Sequence, residues 1–125
     1  SAAFPQWAVW LGVLMTGIGF FISTWALVEN PFFSSVVRIQ TDRGHTVCDT
    51  GPYRWIRHPG YAGGVLPLPG MVLALGSLWA IIPAVIWLGI GVLRTELEDR
   101  TLQAELPGYR EYAQQVRYKW LPGVY

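Results

Sequence analysis

Two long apolar runs separated by a polar island lay out the plan of the chain. Trp7 to Val28 holds no charged residue, and its length of about 22 residues, at 1.5 Å each, covers roughly 30 Å of hydrocarbon. The pattern predicts a transmembrane helix over 7–28. Trp7, Trp10 and Trp25 fall near its ends, where indoles favour the headgroup zone. Gly12, Thr16 and Gly17 are small enough to admit a second helix closely. Glu29, Asn30 and Pro31 then stop the run, since proline has no amide donor and keeps the residue before it out of the helical region.

Phe32 to Ile39 is expected to lie along the interface, with both phenylalanines immersed and Arg38 wet. Residues 40–61 read as a polar loop with turns, rich in Asp, Gly and His. Ala62 to Leu93 is uncharged for about 32 residues, too long for one comfortable span and short for two. Gly76 and Ser77 mark a break near its middle. Either one long tilted helix or a tight helical hairpin fits this run. Pro67, Pro69 and Pro83 are tolerable where helices start or kink.

Every Lys and Arg lies in one of two clusters, Arg38 to Arg57 or Arg94 to Lys119. A hairpin places both on one face, cytoplasmic by the positive-inside rule, whereas a single span separates them. From Arg94 to Glu105 charge returns on helical spacing, with Arg94 and Glu98 one turn apart. Pro107 and Gly108 end that segment. Tyr109 to Tyr118 can form a short amphipathic helix, and Trp120 to Tyr125 an interfacial tail held by aromatics. The expected fold is all-α: a single-domain integral membrane helical protein with an N-terminal transmembrane helix, a polar loop, a hairpin over 62–93 and a cytosolic helical tail over 94–125. The chain opens on Ser1 with neither a basic flank before its first apolar run nor a cleavage site after it, so we expect a fragment or a processed form lacking upstream transmembrane helices rather than a signal peptide.

Composition narrows the function. Charged residues make up 14% of the chain, against roughly a quarter in soluble domains. The net charge of +1 arises from mixed signs rather than a basic surface, which argues against nucleic acid as a partner. Cys48 is the single cysteine, so neither an internal disulfide nor a multi-thiolate site can form. It reads as a small packed hydrophobe.

Ionisable groups beside lipid persist where they face a cavity, a ligand or one another. In the hairpin, His45, Tyr53, Arg57, His58 and Tyr61 meet Arg94, Glu96, Glu98 and Asp99 at the membrane surface. Such a mixture suits a zwitterion: Glu98 for an ammonium, and loop amides with nearby His or Arg side chains for a carboxylate. Taken alone, Arg94 and Glu98 are an ordinary helical pair worth about 0.3 to 0.5 kcal/mol. Two histidines with scattered acids form no metal-ligand pattern such as HExxH, and no metal is expected. Ser34, Ser35 and Cys48 lack the flanking glycines of a nucleophile elbow.

The stretch HTVCDTGPYRWIRHPGYAGG, the VVRIQTDR before it and the later RTELEDRTL resemble the isoprenylcysteine carboxyl methyltransferase family, whose relatives include membrane phospholipid N-methyltransferases. The resemblance runs from about Asn30 to the C-terminus. It implies a membrane fold enclosing S-adenosylmethionine on the cytoplasmic side while a lipophilic substrate arrives through the bilayer. The family's cofactor positions fall on His45, Thr46, Val47, Cys48, Tyr53, His58, Pro59, Gly60, Tyr61 and Glu98. Arg94 matches an arginine near the substrate carboxylate. Arg38 stands where relatives can have Gln, with Gln40 two residues on. Leu97 interrupts the acidic run, so Glu96 and Asp99 carry less weight than Glu98.

In-line methyl transfer to a carboxylate needs no general base, because that group is already ionised at neutral pH. Arg94 would orient it through a two-pronged contact. An amine acceptor must first lose a proton, and a nearby arginine repels its ammonium form. Carboxyl methylation is thus the leading expectation, with a lipid amine as the other acceptor. An NADPH-dependent reductase of the sterol type and a noncatalytic scaffold are further alternatives; the first needs a larger pocket and cations for a ribose phosphate.

Overall fold

The computed structural model describes residues 4–33 and 39–125. Ser1 and the expectations for Ser34, Ser35 and Arg38 lie outside the described residues. Five α-helices occur among the described residues: α1 (Gln6–Glu29), α2 (Pro59–Val65), α3 (Pro67–Leu75), α4 (Ile81–Glu105) and α5 (Tyr109–Gln115). Short 3₁₀ turns cover Thr41–Arg43, Gly51–Arg54 and Leu78–Ala80. No strand occurs among these residues.

α1 and the helical run Leu78–Glu105 are each long and apolar enough to cross a membrane, and most of their large apolar side chains face outward. A soluble core would bury them; lipid accepts them. The fold is that of an all-helical integral membrane protein. α1 ends as its sequence dictates: the Asn30 amide donates to the Ala26 carbonyl, and Pro31 follows outside the helix.

The apolar stretch after the island doubles back. Gly76 closes α3 with φ of 62°, a conformation that disfavours side chains bearing a Cβ, and α4 leaves in the return direction after the turn at Leu78–Ala80. The two arms are unequal. The first begins within the polar island, at Pro59, and reaches only Leu75, about 25 Å at 1.5 Å per residue. The second runs unbroken through Glu105, carrying its charged end beyond the apolar part.

α1 packs chiefly on α2 and α3. The contact is a glycine seam: a Cβ on Gly12 would collide with the Gly70 carbonyl, and one on Gly19 would come within 2.6 Å of the Gly63 carbonyl. Seven residues at 100° each return nearly to the same face, so Gly12 and Gly19 line up. Gly17 does not belong to the seam. A Cβ there meets nothing within 4 Å, because position 17 points about 140° away from position 12.

Phe32 stacks on His45 with ring centroids 4.5 Å apart, and the Phe33 ring covers Gly60 so tightly that a Cβ there would clash. One further expectation is corrected. The last helix stops at Gln115 rather than Tyr118. Beyond it the backbone extends, and the carbonyls of Tyr118 and Lys119 accept the amides of Arg57 and His58, each at 2.9 Å.

The tail folds back onto α4. Trp120 Nε1 donates to Thr95 Oγ1 at 2.9 Å, and Lys119 reaches Glu96. It is thus tied to α4 by hydrogen bonds in addition to its aromatic side chains.

Candidate functional site

A cavity of about 470 Å³ opens between the polar loop, the start of the hairpin, α4 and α5. That volume falls in the range of roughly 300 to 1,000 Å³ usual for small-molecule sites. Each wall comes from a short piece of sequence with its own reason to be there.

The loop contributes His45, Thr46, Val47 and Cys48. Its fold is set locally: the Gln40 amide donates to His45 Nδ1 at 3.0 Å, and the Gln40 side chain donates to the Phe32 carbonyl at 2.8 Å. Arg43 closes this knot by donating to Gln40 Oε1 and to the Pro31 carbonyl. Cys48 Sγ lies 3.8 Å from the Glu29 carbonyl, a weak contact with the end of α1.

The island contributes Tyr53, Arg57, His58, Gly60 and Tyr61. Pro59 does not line the cavity. It is fully buried at the first position of α2, where a missing amide costs nothing. Tyr53 is held from below, since the Tyr112 hydroxyl donates to its carbonyl at 2.6 Å.

α4 contributes one stripe: Trp87, Ile90, Arg94, Glu98 and Leu102, spaced by three or four residues and therefore on one face. Arg94 Nε stands 3.5 Å from the Tyr61 hydroxyl, tying the two arms of the hairpin together. Arg94, Glu98 and the loop residues His45 to Cys48 thus border one space.

The neighbouring stripe of α4 faces the tail, and its centre is Asp99, which is 3% exposed. Arg57 grips this carboxylate side-on, Nε to Oδ1 at 2.9 Å and Nη2 to Oδ2 at 3.0 Å. His58 Nε2 lies 2.9 Å from Oδ1, the Tyr109 hydroxyl donates to Oδ1 at 3.0 Å, and Gln103 donates to Oδ2 at 2.6 Å. Arg57 Nη1 donates to the carbonyls of Val116 and Arg117. Burial disfavours the Arg57 charge, but the bonds to Asp99 and its charge outweigh that and raise the Arg57 pKa. The same burial raises the phenols of Tyr109 and Tyr112, with the Asp99 charge adding to the effect at Tyr109. Both remain donors.

This arrangement corrects the sequence reading at two points. Arg57 lines the cavity, yet its guanidinium is committed to Asp99 and backbone carbonyls, so it is poorly placed to hold a ligand carboxylate. Asp99, discounted because Leu97 breaks the acidic run, is the most connected acid of the site. Glu96, by contrast, turns to Lys119 and Tyr125. Sequence reasoning also passed over Trp87, Ile90, Tyr109 and Tyr112. Their spacing was the available signal: Tyr109 and Tyr112 are three apart, and Trp87 and Ile90 continue the Arg94 to Glu98 register upward.

The family model of phospholipid methyltransferases matches residues 7–106. The chain belongs to the phospholipid methyltransferase family. The match covers most of the chain, including all of the α1 glycine seam, which lies upstream of the segment that carried the sequence resemblance. The family is one of membrane methyltransferases acting on lipid, and the two helices of the chain that are long and apolar enough to cross a membrane accord with it. A relative outside that description is the Lamin-B receptor of Drosophila melanogaster, 30% identical over 107 residues. That alignment takes in 78% of this chain and 14% of the receptor, so the chain spans about a seventh of the length of this curated relative.

Next to the cavity, a smaller apolar groove of about 180 Å³ runs between α2 and α4. Gly64, Val65, Leu68 and Gly91 line it, and it shares Tyr61 and Arg94 with the cavity. Tyr61 and Arg94 stand where the polar cavity and the apolar groove meet.

Proposed function

We propose that the chain performs S-adenosylmethionine-dependent methyl transfer to a lipophilic acceptor, within a multi-pass membrane fold whose active site faces the cytoplasm. The observation that carries this reading is the single cavity bordered by His45 to Cys48, by His58, Gly60 and Tyr61, and by Glu98. The cavity volume and donor set fit the methyl donor: Glu98 would take its ammonium, the loop amides about Thr46 and Val47 its carboxylate, and Tyr53, Tyr109 and Tyr112 its flat apolar part. Bound there, the donor supplies an electrophilic sulfonium methyl. The chain's own residues position the partners and exclude water, which strengthens every polar contact in the site.

The acceptor enters by the groove between α2 and α4, with its apolar chain beside Val65 and Leu68. Arg94 then holds its anionic group. A carboxylate acceptor, as in isoprenylcysteine-type O-methylation, is the reading that needs no proton acceptor. The family match favours a second reading, N-methylation of a phospholipid amine, in which Arg94 holds the phosphodiester instead. A noncatalytic role would leave the cavity without a purpose.

Labelled methyl transfer from S-adenosylmethionine to a membrane lipid extract tests the proposal. Transfer of label supports it. Base-labile label identifies an ester, and base-stable label identifies an amine. No transfer by the wild-type chain in any lipid extract, with cofactor binding absent as well, contradicts it.

A further inference from the structure

Among the described residues, both hydrogen-bond contacts of the His58 imidazole fall on Nε2: Asp99 Oδ1 at 2.9 Å and the Tyr109 hydroxyl at 3.4 Å. Asp99 already neutralises Arg57 and accepts from Tyr109 and Gln103. An ionised carboxylate only accepts hydrogen bonds, so the proton on a neutral His58 ring sits at Nε2. The other ring nitrogen points roughly the opposite way. His58 lines the cavity and Asp99 does not, and no buried side-chain nitrogen or oxygen lacks a hydrogen-bond partner among the described residues, so Nδ1, which has none, is open to the cavity.

We infer that Asp99 is a positioning residue that fixes the His58 tautomer, with Nε2–H turned to Asp99 and the Nδ1 lone pair offered to the cavity as an acceptor. The inference rests on the methyl-donor reading of the cavity and deepens it. A group bound at His58 must then donate a hydrogen bond. For an aminoacyl ligand that group is the α-ammonium, which His58 and Glu98 would share, leaving the carboxylate to the loop amides. Asp99 is well suited to the task because it cannot turn: Arg57 holds it side-on, and Arg57 is itself anchored on the carbonyls of Val116 and Arg117. The tail, beyond the residues matched by the family model, thereby takes part in setting the ligand site.

Nitrogen-15 NMR of histidine-labelled protein in lipid nanodiscs reads the tautomer directly. The chain has two histidines, so a His45→Asn sample assigns His58. In its neutral form the wild-type ring is expected to show a protonated Nε2 and a bare Nδ1, with Nδ1 shifting when S-adenosylhomocysteine is added. Asp99→Asn should mix the tautomers and weaken S-adenosylhomocysteine binding about tenfold. A wild-type Nδ1–H tautomer overturns the inference, as does an Asp99→Asn protein that binds as tightly as wild type. Should Asp99→Asn fail to fold, the wild-type tautomer and its response to ligand decide alone. A wild-type protein with the expected tautomer that binds no S-adenosylhomocysteine keeps Asp99 as the residue setting His58 and instead defeats the methyl-donor reading.

Discussion

Arg57 and Asp99, 42 residues apart in sequence, meet in a buried side-on pair with contacts of 2.9 and 3.0 Å. The pair joins the polar island to the end of α4 and brings the Arg57 anchor on the tail with it. Three segments that the chain separates by a hairpin and a turn are fixed at one point.

Removing one partner of such a pair leaves an uncompensated buried charge, a loss of about 3 to 5 kcal/mol. Asp99→Ala is therefore expected to be among the most destabilising single changes outside the spanning segments. Thermal unfolding in detergent, followed by tail-specific proteolysis, measures it. Loss of protection at residues 107–125 before the helices unfold is the expected pattern, and an unchanged midpoint would contradict the role of the pair.

The seam between α1 and the hairpin admits no side chain at Gly12 or Gly63 without moving a helix. Gly63→Ala should cost about 1 to 3 kcal/mol through overpacking, while Gly17→Ala, on the open face, should be neutral or slightly stabilising through helix propensity. Denaturation of both variants in the same detergent compares them. Equal effects would show that the seam does not hold α1.

How much of this was readable beforehand follows from the kind of signal each feature leaves. Charge-free length reveals spanning helices, and the distribution of Lys and Arg reveals that the arms return, so α1 and the hairpin were legible. The cavity residues on the loop and island were legible through their motif. Which face a uniformly apolar helix presents is not, because lipid and helix neighbours accept the same side chains; hence Gly17 was grouped with Gly12 while Gly19 was missed. Partner choice among adjacent acids was also hidden. Glu96, Glu98 and Asp99 differ in sequence only by register, and the tail and the island together decide among them: Lys119 and Tyr125 take Glu96, Arg57 and Tyr109 take Asp99, and Glu98 is left facing the cavity.

Cys48 lines the cavity with its sulfur near a carbonyl rather than near a base. Cys48→Ser preserves size and a weak donor, so stability should change by no more than about 0.5 kcal/mol, and ligand affinity should stay close to wild type. A folded Cys48→Ser protein that transfers no methyl group would reveal thiol chemistry that the site as described does not contain.

Arg94 sits where the cavity and the groove meet. Arg94→Ala should leave S-adenosylhomocysteine affinity nearly unchanged while lowering turnover at saturating cofactor, since it removes a contact to the acceptor. Arg94→Lys should restore little, because a point charge does not reproduce a two-pronged contact. Steady-state kinetics with the acceptor varied separates these effects. A parallel loss of cofactor affinity would move Arg94 from the acceptor to the methyl donor.

Binding of the methyl donor requires the hairpin to bring Glu98 and the His58 to Tyr61 segment around one ligand. Calorimetry of S-adenosylhomocysteine binding to the reconstituted protein, wild type against Glu98→Ala, tests this most directly. The expected result is saturable binding to the wild type, weakened at least about tenfold in Glu98→Ala by loss of a charge-assisted contact, with NADPH bound by neither. Equal affinity in the two proteins, or binding of NADPH in place of S-adenosylhomocysteine, would contradict it.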